Sequence, residues 1–383
     1  MAAVMLSLLL RLVLFPLMAS AADLLRNPDF ESPPLNITAG PNTPLVQLTK
    51  ANTIPGWTFN GTVSYATSGG NGHGIQLGRD GKINQTFRAS DNFYYYVLTF
   101  TLAPGIGDNC SQSTAFVNVS VPGSSRLFYL KNRYGKEKWE SHSCHLGGWG
   151  VSEFDNLVIR SQFNHSGSNA TCGPVVDTFI LKGIETPKYF EDNILPNGGF
   201  EVGPAFLNNS TEGILLDEDP DESWSVLQDW SVMGTVKYID RKHYGVPQGQ
   251  AAIEIVSGAP SGIKTVQRLQ QGADYSLTFM MGDAKDSCVG ELIVWAQAGN
   301  TIQNFTMRSD GTGSVRNCSL TFKADSSLTP ISFVNFNESR NRELLPCGPV
   351  IDDVVLLRTS ASEGIQRKQF TISCFVFLFL VIL

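Results

Sequence analysis

Charged residues are scarce in this chain of 383 residues, at 16% of the sequence, and only five histidines are present. Aspartate and glutamate (35) outnumber lysine and arginine (28), and the net charge of −7 disfavours a nucleic-acid partner. The sequence contains no GxSxG, HExxH or P-loop pattern and no long amphipathic helical segment. These absences argue against the enzyme classes that such motifs mark and against a coiled coil.

Hydrophobic residues make up 42% of the chain, and glycine (36) and proline (19) are plentiful. Short segments rich in valine, isoleucine, phenylalanine and tyrosine, such as 94–102, 115–121 and 275–281, are separated by clusters of turn-forming residues. This pattern is typical of strands in a β-sandwich. We therefore predict an all-β fold with a substantial core.

Four segments of the chain occur twice in the same order, 170–179 residues apart. The pairs are LLRNPDFESPP (24–34) with NILPNGGFEVGP (193–204), IPGWTFNGTVSYA (54–66) with LQDWSVMGTVKYI (227–239), YVLTF (96–100) with YSLTF (275–279), and CGPVVDTFIL (172–181) with CGPVIDDVVL (347–356). Such a repeat indicates a duplicated domain. We predict a first domain over 22–182, a linker over 183–193 and a second domain over 194–359.

Both ends of the chain have the composition of processing signals. Residues 1–21 form an apolar run that closes on the small residues Ala19-Ser20-Ala21, as in a secretory signal peptide. Arg11 interrupts this run and disfavours the alternative, a membrane span. Residues 360–383 join small residues, a polar spacer and an apolar tail, as in a GPI-anchor signal with attachment at Ser360. A plain tail anchor or an unprocessed tail is the alternative. We predict secretion to the cell wall or the outer face of the plasma membrane.

Twelve N-x-S/T acceptor patterns support secretion. Two of them, at Asn109 and Asn317, adjoin a cysteine and are set aside. The remaining glycosylation candidates are Asn36, Asn60, Asn84, Asn118, Asn164, Asn169, Asn208, Asn209, Asn304 and Asn337.

Three cysteines occur in each copy, and a seventh, Cys374, lies in the C-terminal tail. Cysteines of secreted domains usually pair. Pairing the first with the third in each copy would close a long loop, which predicts the disulfides Cys110–Cys172 and Cys288–Cys347. The remaining Cys144 and Cys318 either join the two domains to each other, stay free or pair differently.

The repeated RNPDFE and PNGGFE openings, the PGW and QDW tryptophans and the paired CGP endings resemble the plant cell-wall proteins that share the domain of unknown function 642. The resemblance covers about 23–359. It implies two tandem galactose-binding-like jelly-roll domains without established enzymatic activity. It also implies association with wall polysaccharides and with pectin methylesterases. The stretch 131–149 does not align with the family pattern.

Sugar binding needs flat aromatic faces and a few fixed polar groups. Trp57 and Trp230 recur in both copies and are predicted to be core residues. The stretch 128–139 mixes aromatic and cationic side chains, which an acidic protein would need locally to bind an anionic polymer such as pectin. The carbohydrate-binding candidates are Tyr134, Lys136, Lys138, Trp139 and Trp149, and the alternative is a solvated hairpin. The acidic segment 217–222 could meet a basic wall enzyme or be merely solvated.

Two further clusters suggest metal binding. Glu31 and Asp177 occupy places equivalent to Glu201 and Asp352 in the first and last strands of each copy, where oxygen ligands could hold a structural calcium ion. The alternative is that these acids cap turns or meet a buried arginine. The segment 142–145, His-Ser-Cys-His, is weak as a zinc or nucleophile site, and a surface loop is the alternative.

These observations predict a non-catalytic wall glycoprotein that binds polysaccharide of the pectin or cellulose class, a pectin-modifying enzyme, or both. Two linked domains would gain avidity from a short connection. The alternatives are a glycoside hydrolase or pectin esterase, whose two acids could come from anywhere in the chain, and a surface protein that binds only proteins.

Overall fold

The structure is a computed structural model that describes residues 24–36, 44–69, 72–90, 92–107, 110, 115–150, 152–163, 172–189, 193–208, 210–219, 225–256 and 260–359. Regular structure within these ranges consists of 22 strands without a helix. None of the described residues form a helix long and apolar enough to cross a membrane. The strands are β1 (Leu45–Gln47), β2 (Thr58–Asn60), β3 (Val63–Gly69), β4 (Gly72–Leu77), β5 (Lys82–Arg88), β6 (Tyr95–Ala103), β7 (Ala115–Val121), β8 (Ser124–Tyr129), β9 (Glu140–Gly147), β10 (Phe154–Phe163), β11 (Val175–Ile184), β12 (Ile214–Asp217), β13 (Ser231–Met233), β14 (Thr235–Asp240), β15 (Ala251–Glu254), β16 (Ser261–Arg268), β17 (Asp274–Asp283), β18 (Val289–Ala298), β19 (Thr301–Asp310), β20 (Val315–Lys323), β21 (Leu328–Asn335) and β22 (Pro349–Arg358).

Three sheets build two sandwiches. A 12-stranded sheet runs in the order β1-β3-β4-β11-β6-β9-β12-β14-β15-β22-β17-β20 through both copies. The five-stranded sheet β2-β5-β10-β7-β8 covers its first half, and β13-β16-β21-β18-β19 covers its second half. The prediction of an all-β chain with two tandem sandwiches is therefore confirmed.

Each sandwich has its own hydrophobic core between the two layers. Trp57 is 3% exposed and packs 5.4 Å, centroid to centroid, from Phe30, and Trp230 is 1% exposed at the same distance from Phe200. Each indole N–H donates a hydrogen bond to a backbone carbonyl, so its polar group is satisfied inside the core. Both repeated tryptophans are core residues, as predicted.

The predicted disulfides are present in both domains. Cys110 is bonded to Cys172, and Cys288 is bonded to Cys347. The predicted bond between Cys144 and Cys318 is wrong, because both are buried free thiols in different cores. Their strands, β9 and β20, stand six positions apart in the 12-stranded sheet, which at the usual strand spacing is about 29 Å.

The two domains are joined by strand pairing as well as by the linker. β9 of the first domain lies parallel to β12 of the second, with Ser141 opposite Ile214 and His142 opposite Leu215. A tether between independent domains would leave both of these strands at sheet edges. The pairing instead gives the two halves one continuous sheet.

The first domain is also covered by the second on the outer face of its large sheet. All nine residues of β6 are buried. Alternate residues of β6 face opposite sides. Tyr96 and Leu98 belong to the core of the first domain, whereas Tyr95 and Val97 belong to the core cluster of the second. β6 is thus a fully buried strand between two hydrophobic cores.

Candidate functional site

The stretch predicted to bind sugar lies largely at the junction of the domains. Tyr134 is 4% exposed and packs in a small cluster with Leu215 and Val256 of the second domain. Trp139 is 7% exposed and packs against Ala66 and other small apolar residues. Neither ring has a free face for a pyranose, so these two candidates are corrected to interior residues.

Two cations of this region, Arg126 and Lys131, are paired with the acidic segment of the second domain. Lys131 forms an ion pair with Asp217 and donates a 2.7 Å hydrogen bond to Thr235 Oγ1. Arg126 donates to the Asp217 carbonyl at 2.7 Å and forms a 3.2 Å ion pair with Asp219. Burial raises the pKa of Asp217, but the Lys131 ammonium outweighs that effect and holds this pKa below its ordinary value.

This pairing bears on two expectations from the sequence. Lys131 of the basic stretch is bound to the second domain, whereas Lys138 is exposed, as expected of a solvated hairpin. In the acidic segment Asp217 and Asp219 meet cations of the first domain, whereas Glu218 is exposed, so contact with a basic enzyme stays a prediction. Residues 220–222 lie outside the described residues.

The other three sugar-binding candidates differ in exposure. Lys136 is exposed and forms a 3.0 Å ion pair with Glu343 of the second domain. Lys138 is exposed. Trp149 is half-buried, with ring centroids 5.4 Å from Phe87 and 5.5 Å from Tyr96. The five candidates therefore do not form one binding surface.

The His-Ser-Cys-His segment is neither a surface loop nor a reactive centre. It lies in β9, where every residue from 140 to 146 is buried. Burial raises the pKa of the Cys144 thiol to about 12 and lowers the pKa of His145 to about 4. At neutral pH the cysteine is a thiol, which is a poor nucleophile and a poor zinc ligand.

The repeated acids hold the same turn in both copies. Glu31 accepts a 2.8 Å hydrogen bond from the backbone N–H of His73, beside Gly72 at φ +132°. Glu201 accepts one of 2.7 Å from the N–H of Gln250, beside Gly249 at φ +66°. A Cβ atom at either glycine would lie 2.2 Å or less from the glutamate Oε1. The glycines are needed because the carboxylate occupies the space of a side chain.

The repeated aspartates lie near these glutamates but are more deeply buried. Burial is the main cause that raises the pKa of Asp177 to about 8 and that of Asp352 to about 7, and the nearby glutamate adds to it in each copy. Asp177 accepts a 2.6 Å hydrogen bond from the N–H of Thr178. Asp352 accepts from two backbone N–H groups, those of Gln248 and Asp353, at 2.8 and 2.7 Å.

These contacts match the alternative in which the acids cap turns. Each of the four carboxylates already accepts at least one hydrogen bond, and the described residues contain no group of three or more His, Cys, Asp or Glu side chains arranged to hold a metal. A calcium cage needs six to eight oxygens, more than the two acids of each copy supply. Calcium binding at these acids stays a prediction of the sequence.

A wide cleft lies where the linker meets the outer face of the second five-stranded sheet. It encloses about 880 Å³, within the range of known ligand sites. We call it the linker cleft, and its lining residues are Tyr189, Ile194, Asp229, Ser231, Lys264, Thr265, Val266, Gln267, Arg268 and Pro330.

The linker cleft combines an exposed ring with fixed polar groups. Tyr189 is 67% exposed, and Val266, 59% exposed, stands opposite Pro330 in the sheet. Lys264 and Arg268 lie two residues to either side of Val266 on β16, so the three side chains share one face. Partial burial raises the pKa of Asp229, and the charge of Asp229 adds to burial in raising that of Tyr189.

Sequence reasoning missed this cleft. Its tyrosine belongs to the predicted linker, and its cations are isolated residues on one strand. These residues therefore form no recognisable sequence motif. The signal that was present is the alternation K-T-V-Q-R over 264–268, which places Lys264, Val266 and Arg268 on the solvent face.

The outer sheet of the first domain carries a different hollow. It encloses about 250 Å³ and is lined by Arg79, Asn118, Arg160, Ser161 and Gln162. This hollow has two arginines but no aromatic residue. Its Asn118 is also a predicted glycosylation site, so a glycan there would occupy the hollow.

The predicted glycosylation sites fall on strands and loops of both domains. Asn60, Asn84, Asn118 and Asn304 lie on β2, β5, β7 and β19, and Asn36, Asn208 and Asn337 lie outside the strands. Asn164, Asn169, Asn209, the signal peptide over 1–21 and the anchor signal with Ser360 lie outside the described residues. Glycosylation and anchoring therefore stay predictions.

The fold and its disulfides define a tandem β-sandwich protein with one repeated architecture. The sequence profile described as a protein of unknown function, DUF642, matches residues 23–182 and 193–357, and the chain belongs to this family. It is 33% identical over 322 residues to the Arabidopsis thaliana protein DUF642 L-galactono-1,4-lactone-responsive gene 2, covering 79% of this chain and 84% of that protein. It is 32% identical to the Arabidopsis thaliana protein TEEBE over 87% of this chain and 90% of that protein.

Two solved structures show a weaker likeness. A CBM61 module in complex with β-1,4-galactotriose covers 44% of this chain and 99% of its own length, at 18% identity and a TM-score of 0.28. The tandem CBM22-1–CBM22-2 domain of Paenibacillus barcinonensis Xyn10C covers 84% of this chain and all of its own length, at 13% identity and a TM-score of 0.27.

Proposed function

We propose that this protein is a non-catalytic cell-wall protein that binds polysaccharide in the linker cleft. The observation that carries the proposal is the exposed Tyr189 ring beside Val266 and Pro330, with Lys264 and Arg268 on the same sheet face. An aromatic ring can stack on the apolar face of a pyranose, while cationic side chains bind its oxygens. Membership of the DUF642 family is consistent with a wall location, since the resemblance implies one.

The charge of the cleft favours a polymer that carries carboxylates. Within the described residues Arg268 takes part in no ion pair, so its guanidinium is open to a ligand. A guanidinium can bind a carboxylate through two parallel hydrogen bonds. Because the protein as a whole is acidic, such local cations decide whether an anionic chain can approach. A uronate-bearing polymer of the pectin class is thus our proposed ligand.

The cleft is a weaker match to a glycosidase. Hydrolysis of a glycosidic bond ordinarily uses two carboxyl groups on opposite sides of that bond. Among the described residues that line the linker cleft, Asp229 is the single acid. The repeated acids are held in turns by backbone N–H groups. These contacts support binding over the enzyme alternative.

The remaining parts of the proposal rest on the sequence. We propose that the chain is secreted, glycosylated and held at the membrane surface by a GPI anchor. Association with a pectin methylesterase is implied by the family resemblance. The avidity mechanism takes a new form, because the continuous sheet would hold the faces of both domains at a fixed spacing.

The test is binding of the secreted protein to a panel of neutral and uronate-bearing wall polymers, with product release followed in the same samples. We expect saturable binding to a uronate polymer that weakens as salt is raised. Absence of binding across the panel would overturn the proposal in favour of a protein ligand. Release of shortened or de-esterified product would show an enzyme.

A further inference from the structure

An exposed aromatic pair lies on the outer sheet of the second domain, away from the linker cleft. Trp295 on β18 is 39% exposed, and Phe336, which follows β21, is 59% exposed. Their ring centroids are 6.3 Å apart, with the rings nearly perpendicular. Ile302 on β19, 58% exposed, adds to the same face. We call these three residues the aromatic patch.

The register of the sheet places a glycosylation acceptor directly beside this patch. Asn304 on the edge strand β19 pairs with Trp295 on β18. Opposite residues of an antiparallel pair have Cβ atoms about 4.5–5.5 Å apart. The acceptor threonine, Thr306, lies on the same face as Asn304 because the two are separated by one residue. A second acceptor, Asn337, follows Phe336 in the chain.

We propose that Asn304 carries an N-linked glycan whose first sugar rests on the indole of Trp295, so that the protein covers its own aromatic patch. In this modification the amide nitrogen of Asn304 forms a bond to C1 of an oligosaccharide carried on a lipid diphosphate. The bond between C1 and the diphosphate oxygen breaks, the lipid diphosphate leaves with that electron pair, and the amide loses one proton. No oxidant or reductant is required.

Three features of the patch are explained together by this proposal. An indole that is 39% exposed gains a partner, since sugar C–H groups pack on aromatic faces as they would in a binding site. The apolar side chains of Phe336 and Ile302 are shielded from water. The free edge of β19 is blocked against pairing with another chain, a hazard that natural sheets avoid with bulky or charged groups.

The same register leaves the linker cleft open. Trp295 pairs with Val334 on β21, and Val334 is four residues, or about 13 Å, from Pro330 in the cleft. One sheet face is thus divided into a part covered by the protein's own glycan and a part available to a ligand. The proposal does not depend on what the cleft binds.

The first test is site occupancy in protein secreted from a eukaryotic cell. A glycan amidase in heavy-oxygen water converts each occupied asparagine to labelled aspartate, which mass spectrometry locates. We expect the label at Asn304. An unlabelled Asn304 in the secreted protein would overturn the proposal.

The second test is thermal unfolding of Asn304→Gln, Trp295→Ala and the double variant. We expect N304Q to lower Tm by about 2–4 °C. We also expect this shift to vanish in the W295A background, because the sugar then has no ring to rest on. The matched control is Asn60→Gln, since Asn60 on β2 pairs with Lys82 and has no aromatic partner. Its shift in Tm should be the same with or without Trp295. An N304Q shift that persists in W295A would contradict the stacking.

A third measurement avoids substitutions altogether. An endoglycosidase that leaves the first sugar on each asparagine should preserve the Tm of the wild-type protein and the protection of its tryptophans from a soluble quencher. The amidase, which removes that sugar, should lower both. Equal behaviour after the two treatments would overturn the role of the first sugar.

Discussion

β6 and β17 are the same strand of the repeat in two different environments. They carry YVLTF in the first domain and YSLTF in the second. β6 is buried along its whole length, whereas β17 alternates between buried and exposed residues. The difference arises because the second domain packs on the outer face of β6, while the corresponding face of β17 meets solvent.

One position in the two copies records this difference. Val97 of β6 is fully buried in the core cluster of the second domain, and Ser276 is its partly exposed equivalent on β17. The residues that the two copies share build each sandwich. The residues that differ determine how the sandwiches pack together and what their solvent-exposed faces can bind. Substitutions in these two sets of residues should therefore have different effects.

Removal of a disulfide should have the largest effect, and an equal one in the two domains. The bonds close loops of 62 and 59 residues, so the loop-entropy estimate is about 4 kcal/mol for either. We expect C110S/C172S and C288S/C347S to lower the free energy of unfolding by similar amounts, measured by urea denaturation. A large loss of unfolding free energy in one domain and none in the other would show that the two disulfides do not stabilise their domains equally.

Loss of Lys131 should destabilise the junction alone. Its side chain is 10% exposed and pairs with Asp217, whose side chain is 26% exposed, so Lys131→Ala leaves a partly buried carboxylate without its cation. Breaking such a pair costs about 3 kcal/mol. We expect faster proteolysis between the domains and a lower Tm. The control is Lys138→Ala, an exposed neighbour that should have little effect, and equal behaviour of the two variants would refute the junction assigned to Lys131.

Exchange of the residues that differ between β6 and β17 should change the free energy of unfolding much more in β6 than in β17. Val97→Ser places a hydroxyl between two cores and should cost about 2 kcal/mol. Ser276→Val lies on a solvent face, where substitutions usually change stability by less than about 0.5 kcal/mol. Chemical denaturation of both variants measures the difference. Similar costs would mean that the two faces are alike.

The buried aspartates should make stability fall as pH rises. The pKa of Asp177 is about 8 in the folded chain against 3.8 as its ordinary value, so between these values only the unfolded chain has lost the proton. The contribution of Asp177 to the free energy of unfolding should fall by at most about 1.4 kcal/mol per pH unit in this window. Asp177→Asn should remove this contribution and be more stable than the wild type at pH 7, while the contributions of Asp352 and Glu254, whose pKa values burial also raises, remain.

The equivalent aspartate is the control for this pH dependence. Asp352 accepts a hydrogen bond on each carboxylate oxygen. Its pKa in the folded chain is about 7, so its contribution to the pH dependence ends near pH 7. An amide has only one acceptor oxygen, so Asp352→Asn should destabilise the protein at every pH.

Calcium binding at these acids is tested by thermal unfolding of the wild type and D177N with and without calcium. A rise in the Tm of the wild type that is lost in D177N would favour the calcium prediction. An unchanged wild-type curve would contradict it.

The residues that were predicted correctly from the sequence are those whose environment lies within one copy. Trp57, Trp230 and the four bonded cysteines recur with similar spacing in both copies, so the repeat alone identifies them as structural residues of each domain. β9 was not recognised, because His142, Ser143 and His145 look like a polar loop. His142 is buried against Phe100 and Phe128 of its own domain, and β12, about 70 residues later, covers the other edge of the strand.

The candidate site could not be predicted for a similar reason. The linker cleft brings Tyr189 next to Val266 and Arg268, which are nearly 80 residues further along the chain. The stretch 128–139 has the composition of a binding patch, and within it Lys131 pairs with Asp217 and Lys136 with Glu343, both in the second domain. Composition alone does not distinguish an internal interface from an external one.

The most direct test of polymer binding in the linker cleft compares two exposed tyrosines, one in the linker and one in the first domain, by titration of a uronate polymer. Tyr189 lines the linker cleft, and Tyr129, 53% exposed on β8, lies on the outer sheet of the first domain. The account predicts that Tyr189→Ala weakens binding about tenfold, the loss of one stacked ring. Tyr129→Ala should bind as the wild type does, with both variants keeping the wild-type Tm. Equal affinities for Y189A and the wild type would contradict the claim that the linker cleft binds the polymer.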